Sequence, residues 1–218
     1  MEIIQNLKFT LDGDQVLRNL GVPEGDEGLT ELAEELLAAC MAVANPKAVY
    51  AVEPVLSTET GISLNGVEIT APFVAEKLSG CHFVVPFVAT CGTEAEEWSL
   101  SLTDGLEQYW ADKLKLMLLE KARRELAGAV RGRYFQGAKH MSALNPGSLP
   151  QWPISEQTKL FAILGGGAEQ IGVTLKESFL MLPTKSVSGI FFSSDEAYEN
   201  CELCPRIDCP NRRAAYRG

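Results

Sequence analysis

Apolar and polar residues alternate along parts of this chain and recur at helical spacing in others, and that pattern divides it into short elements. Residues 2–9 alternate loosely and predict a strand. Asp14 to Leu20 predicts a short helix that stops at Gly21, and residues 22–29 form an acidic Pro/Gly loop. Thr30 is expected to cap a helix to about Asn45, with Glu31, Glu34 and Glu35 near its start suiting the helix dipole. Lys47 to Val55 predicts a strand. Ile62 to Leu64 and Val67 to Ile69 flank Asn65-Gly66, a strong hairpin signal. Pro72 to Leu78 reads as a helix ended by Gly80.

Cys81 to Thr90, rich in Val and Phe, predicts a buried strand that runs into a turn and helix start at Cys91-Gly92-Thr93-Glu94. The helical pattern then continues to about Ala129. Leu102, Leu106, Tyr109, Trp110, Leu114 and Met117 form its apolar face, and Gly105 marks a possible division into two helices. After Arg133 to Leu144 comes a Pro/Gly-rich loop, Asn145 to Pro153. Ser155 is expected to cap a helix to Leu164, which Gly165-Gly166-Gly167 terminates. Ile171 to Leu175 and Ser186 to Ser193 predict strands. Without a regular βαβ rhythm, the order implies an α+β domain. Residues 1–198 read as that domain, and 199–218 as a tail too small to fold unaided.

Composition narrows the partners. With 46% hydrophobic residues the chain can bury a sizeable core, and its net charge of −10 repels a phosphate backbone, which argues against nucleic acid. Nothing near Met1 reads as a secretory core, and no apolar stretch is long enough to span a bilayer. A cytoplasmic protein with no membrane partner is therefore expected, in a compartment where structural disulfides are rare.

In that setting the cysteines change the picture. Cys40, Cys81 and Cys91 are dispersed, but Cys201, Cys204 and Cys209 fall in nine residues with C-x2-C-x4-C spacing. Such spacing lets two thiolates reach one metal from a tight turn, and tetrahedral zinc or iron then needs two further ligands. Pro205 and Pro210 stiffen the loop behind two of the cysteines, and Arg206, Arg212 and Arg213 offset thiolate charge. Zinc and an Fe-S cluster are both compatible with the spacing, and a redox-reactive or incidental thiol tail is the bland alternative. Cys91, Cys81, Cys40, His82, His140 and an outside molecule are open as fourth ligand. Cys91 is the nominee, because it stands beside Gly92 at a strand-to-helix junction. Cys40 and Cys81 read as plain core.

Other chemistry is weakly signalled. Gly165, Gly166, Gly167 and Gly172 do not make a dinucleotide fingerprint, and no P-loop or nucleophile elbow is present. The loop Asn145-Pro-Gly-Ser-Leu-Pro-Gln-Trp-Pro-Ile is stiff and carries Trp152, which either offers a flat face to a ligand or anchors a crossover loop. Lys185-Ser-Val-Ser-Gly reads as a strand with small residues that either passes close to a ligand or packs under a helix.

Taken in order, Asn145-Pro-Gly, Trp152-Pro, Gln157, Leu160-Phe161, Ile171-Gly-Val-x-Leu, Ser178, Met181-x-Pro183 and Lys185-Ser-Val-Ser-Gly resemble the activation (reactivation) domain of vitamin B12-dependent methionine synthase. Phe9-Thr-Leu-Asp-x-x-x-Val-Leu-Arg-x-Leu-Gly and Thr90-Cys-Gly-Thr-Glu-x-Glu-Glu-Trp are similar to its stand-alone versions in the corrinoid methyltransferase systems of anaerobes. The resemblance implies a C-shaped α+β domain with a bent, mainly antiparallel sheet. It also implies S-adenosylmethionine in a cleft, docking onto a cobalamin-bearing partner or methyltransferase, and a flavodoxin- or ferredoxin-like electron donor. Pro146, Gly147, Trp152 and Tyr198 are the matching ligand positions, and the family's helical glutamate falls at Glu107 or Gln108. Two positions depart from the family. Ala143 stands where the family has an arginine, and Ser148 where it has a tyrosine; Lys139 or Arg133 are the possible substitutes for the missing cation. Two functions stay open at this point: an accessory protein for reductive reactivation of a corrinoid methyltransferase, with a metal or Fe-S centre held by Cys91, Cys201, Cys204 and Cys209, or a non-catalytic corrinoid-protein-binding module with structural zinc.

Overall fold

A computed structural model describes residues 1–5, 7, 9–209, 212 and 214–217. The chain begins with strand β1 (Glu2–Ile4) and helices α1 (Gly13–Leu20) and α2 (Glu27–Val43). Asp12 caps α1 by accepting from Gln15 N, and Gly21 ends it in the left-handed region. Asp26, not Thr30, caps α2: its carboxylate accepts from Leu29 N, while the Thr30 hydroxyl bonds back to Asp26 O. Strands β2 (Lys47–Tyr50), β3 (Glu53–Pro54), β4 (Leu56–Ser57), β5 (Ile62–Leu64) and β6 (Val67–Ile69) follow, then α3 (Pro72–Leu78) and β7 (Phe83–Thr90). The β5–β6 turn has positive φ at both Asn65 and Gly66, as its Asn-Gly pair requires.

Helices α4 (Thr93–Ser101) and α5 (Gly105–Tyr134) divide at Gly105, where Asp104 caps α5 through Leu106 N and Glu107 N. The last part comprises β8 (His140–Leu144), α6 (Gln157–Ile163), α7 (Gly167–Gln170), β9 (Thr174–Leu175), β10 (Met181–Leu182) and β11 (Ser186–Ser194). Gly165 and Gly166, both at positive φ, end α6 as expected, but Gly167 opens a further helical turn. That turn leaves only Thr174–Leu175 of the expected 171–175 strand.

One antiparallel sheet organises the molecule, in the order β1-β2-β7-β11-β8, with β3 also on β7. The α+β class with a mainly antiparallel sheet is thus borne out. Alternation along β7 sends Val84 and Val88 to one face and Val85, Phe87 and Ala89 to the other. The first face is covered by α3, α6 and the β5–β6 hairpin, and α5 packs on the second. Phe87 stacks on Phe191 there at 4.2 Å between ring centroids. A third core joins α1, α2, α4 and the first half of α5 around Trp110, Leu114 and Leu118. The apolar face read for α5 is only partly covered, since Leu106 is 38% and Tyr109 56% exposed. Among the described residues, no helix is long and apolar enough to cross a membrane.

Candidate functional site

The loop after β8, the start of α6, the segment around β10 and the first half of β11 enclose a cleft of about 420 Å³. Asn145, Pro146, Ser148, Gln157, Thr184, Ser186 and Ser188 line it together with Ile154, Leu180, Met181 and Val187. These walls are neutral, mixing amides and hydroxyls with apolar side chains.

Asn145 is the hub of the cleft. Its Nδ2 donates to Ser188 O at 2.7 Å, and its Oδ1 accepts from Asn200 Nδ2 at 2.8 Å. Asn200 Oδ1 accepts in turn from the Tyr198 hydroxyl at 3.1 Å. On the other side of Ser188, its hydroxyl donates to Gln157 Oε1 at 2.9 Å, and Gln157 Nε2 donates to Phe179 O at 2.8 Å. Asn200, Ser188 and Gln157 are buried, so each bond satisfies a group that would otherwise cost stability. One line of hydrogen bonds thus runs from Tyr198 through the cleft floor to the segment before β10.

Two glycines make this possible. At Gly189 a Cβ would stand 2.5 Å from Asn145 Nδ2 and 2.6 Å from Leu144 O. Ser-Val-Ser-Gly is therefore a strand that passes under its neighbour's loop and needs no side chain where Asn145 crosses it. Gly147 has φ of +80° and donates its N–H to Trp152 O at 2.7 Å, which closes the Pro-Gly loop.

The segment before β11 is tied to the helices. Thr184 donates its N–H and hydroxyl to Glu96 Oε1 at 3.3 and 3.0 Å, and Lys115 Nζ meets Glu96 Oε2 at 2.7 Å. Burial pushes the Glu96 carboxyl up, but the Lys115 hydrogen bond and charge and the Thr184 bonds outweigh it and hold the group below its usual value. Lys185 pairs with Asp112 at 2.7 Å. Glu96 belongs to the Thr90-Cys-Gly-Thr-Glu-x-Glu-Glu-Trp stretch. Its neighbour Glu94 binds Lys47 and Asn45, so that stretch is a set of anchors between helix, sheet and cleft.

The residues expected from sequence are distributed unevenly. Pro146 lines the cleft, and Gly147 shapes the loop beside it. Trp152 is buried in the core against α6, so it anchors the loop and presents no face to the cleft. Tyr198 is half-buried beside Phe73 and Phe192, with Lys77 Nζ 5.0 Å from its ring. Its phenol is pushed up to about 12 by burial and then by the charges of Glu202 and Glu199. It reaches the cleft only through Asn200 and Asn145. Glu107 sits in the first turn of α5 and is not among the cleft residues.

Ala143 packs into the core on the α5 face of the sheet, whereas Ser148 is on the cleft wall. Neither proposed cation replaces the absent arginine. Arg133 binds Glu2 of β1, on the sheet edge opposite β8, and Lys139 is exposed near Asp195. Sequence reading missed Asn200 and Glu96 as individual residues, since nothing in their local pattern distinguishes a buried polar link from a surface side chain.

Nor are the cysteines assembled as expected. Cys91 is fully buried in the third core with Trp110 and Ala95, and burial, followed by the charge of Glu96, pushes its thiol up to about 12. Cys201, Cys204 and Cys209 are half-buried in the tail. Among the described residues, no three His, Cys, Asp or Glu side chains gather in a way that holds a metal. The tail closes instead around Arg212. Its guanidinium donates to the carbonyls of Cys201 (2.5 Å), Cys204 (2.9 Å), Arg206 (2.6 Å), Ile207 (3.2 Å) and Ala214 (3.1 Å). Pro210, Asn211 and Arg213 lie outside the described residues.

An antiparallel sheet with a Pro-Gly loop that leaves its edge strand β8 and closes over a neutral cleft defines the class: an α+β domain with a polar cleft at the end of its sheet. Residues 143–202, the segment that builds this cleft, match the family model of the vitamin B12-dependent methionine synthase activation domain, and this bears out the resemblance read from the sequence. The fold is that of the MetH reactivation domain, solved bound to AdoHcy: the TM-score is 0.60 at 19% identity, covering 91% of this chain and 81% of that one. No curated protein matches the chain.

Proposed function

We propose that the chain is a reactivation module for a corrinoid-dependent methyltransferase, and that the cleft between the Asn145–Pro153 loop and β11 takes S-adenosylmethionine. The observation that carries this reading is the coincidence of two facts. The segment matched by the activation-domain model is the segment that walls the cleft, and the similar MetH domain was solved bound to AdoHcy. The cleft is large enough for the amino-acid end and part of the nucleoside, and its amides and hydroxyls suit a polar ligand.

With Ala143 in the place of an arginine, the ligand's carboxylate is held here by a neutral donor such as Ser148, rather than by a bidentate ion pair. A neutral donor gives weaker binding than a guanidinium fork. In the reaction this reading implies, an outside donor of flavodoxin or ferredoxin type supplies one electron to the oxidised cobalt of the partner's corrinoid. The S–CH3 bond of the ligand breaks, the methyl group passes to the cobalt, and S-adenosylhomocysteine leaves the cleft. The chain's part is to hold the methyl donor and dock the partner.

Zinc and Fe-S chemistry are not carried into this reading, because Cys91 is enclosed in the third core and, among the described residues, no group of three metal-ligating side chains forms. The test combines methyl-labelled S-adenosylmethionine, a low-potential chemical reductant and an oxidised corrinoid protein from a B12-dependent methyltransferase. Label on the corrinoid only when the chain is present supports the proposal, and equal labelling without it overturns the proposal.

A further inference from the structure

Among the described residues no three His, Cys, Asp or Glu side chains gather around a metal position, but the tail keeps two cysteines in a turn, and we propose that Cys201 and Cys204 form a reversible dithiol–disulfide pair. Glu202 N donates to Glu199 O at 2.9 Å and Leu203 N to Asn200 O at 3.2 Å, so Asn200–Glu202 is a 3₁₀ turn that continues through Leu203. Cys204 lies just past that turn, but Glu202 is helical and Leu203 has φ −108° and ψ −2°, so Cys201 and Cys204 are the two ends of a type I β-turn, whose Cα atoms lie within about 7 Å of each other. The ends of such a turn reach the range of about 4.4–6.8 Å that a disulfide spans. A second observation fixes the same pair. The two terminal nitrogens of the Arg212 guanidinium bind the carbonyls of Cys201 and Cys204, so one rigid planar group holds both backbones. Both side chains are half-buried, within reach of a small oxidant, whereas Cys40 and Cys91 have no exposed surface.

The exchange balances with a small-molecule disulfide as oxidant. One tail thiol, as thiolate, attacks the oxidant's S–S bond and releases one reduced thiol, leaving a mixed disulfide. The other tail thiolate then displaces the second reduced thiol and closes the Cys201–Cys204 bond. Two electrons pass to the oxidant, and the two protons lost by the pair end on the two thiols released. Cys209 takes no part. The position matters for function, because Asn200, the residue before Cys201, holds Asn145 in the cleft floor. The pair stands independently of which ligand the cleft takes.

The experiment equilibrates the full-length chain, without added metal, in buffers that run from reduced to oxidised glutathione. It quenches with acid, alkylates the remaining thiols and maps the tryptic peptides. Cys201 and Cys204 share the peptide Ser186–Arg206, and Cys209 is in the next one. The expected result is a Ser186–Arg206 peptide lighter by two hydrogen atoms and unalkylated in oxidising buffer, restored by dithiothreitol, with the Cys209→Ser variant behaving identically. Four results would overturn the proposal: two alkyl groups on that peptide in every buffer, glutathione adducts alone, a link to the Cys209 peptide, or stoichiometric metal that protects all three thiols.

Discussion

Asn145 lies across Gly189, and the amide that crosses it donates to Ser188 O at 2.7 Å. The loop that carries Asn145 and the strand that carries Gly189 are thereby one unit, and the cleft is the space they share. Replacing Gly189 with alanine puts a methyl 2.6 Å from Leu144 O, a backbone atom that the β8–β11 pairing holds in place. Overpacking of this kind costs about 1–3 kcal/mol, which for a chain of this length lowers Tm by roughly 2–12 °C. A thermal melt checks it, and an unchanged Tm would show that the backbone at Leu144 gives way to the added methyl.

Asn200 is the tail's link to the cleft. Asn200→Leu leaves Asn145 Oδ1 and the Tyr198 hydroxyl without their partners. Both groups are half-buried, so the expected loss is about 1 kcal/mol per hydrogen bond removed, seen as a lower denaturant midpoint. The same variant should weaken ligand binding in the cleft while the β7–β11 pairing stays protected in hydrogen exchange.

Glu96 and Lys115 make stability depend on acid. The folded carboxyl of Glu96 lies below its ordinary value of 4.5, so it contributes stability that is present above that pH and lost as pH falls through the folded value. Glu96→Gln should therefore flatten the loss of stability below about pH 4.5 in denaturant titrations run at several pH values. Lys115→Met leaves the carboxylate unpaired in a largely buried site, and the expected cost is about 3–5 kcal/mol at neutral pH.

Cysteine accessibility separates core from tail. Burial pushes both Cys40 and Cys91 up to about 12, so neither offers a thiolate at neutral pH. In the reduced native protein, alkylation should mark Cys201, Cys204 and Cys209 within minutes and reach Cys40 and Cys91 only after unfolding. Rapid native labelling of Cys91 would contradict its place in the core.

Local pattern was a good guide wherever local chemistry decides the outcome. The Asn65-Gly66 hairpin, the division at Gly105 and the buried strand ending at Thr90 all depend on neighbours in sequence. Trp152 could be read either way, because an aromatic in a Pro-rich loop looks the same whether it faces a ligand or the core, and only the packing against α6 decides. Cys91 misled for a related reason. A turn beside glycine suggests exposure, but α4, α5 and α2 close over it. Asn200, 55 residues from Asn145, was beyond any local signal.

Direct titration of the purified chain with S-adenosylmethionine tests the central claim most simply. Calorimetry should give saturable binding of one ligand per chain, displaced by S-adenosylhomocysteine and abolished by Ser188→Trp, which fills the cleft. Absence of heat or saturation at millimolar ligand, with the protein folded by its melting curve, would contradict the account.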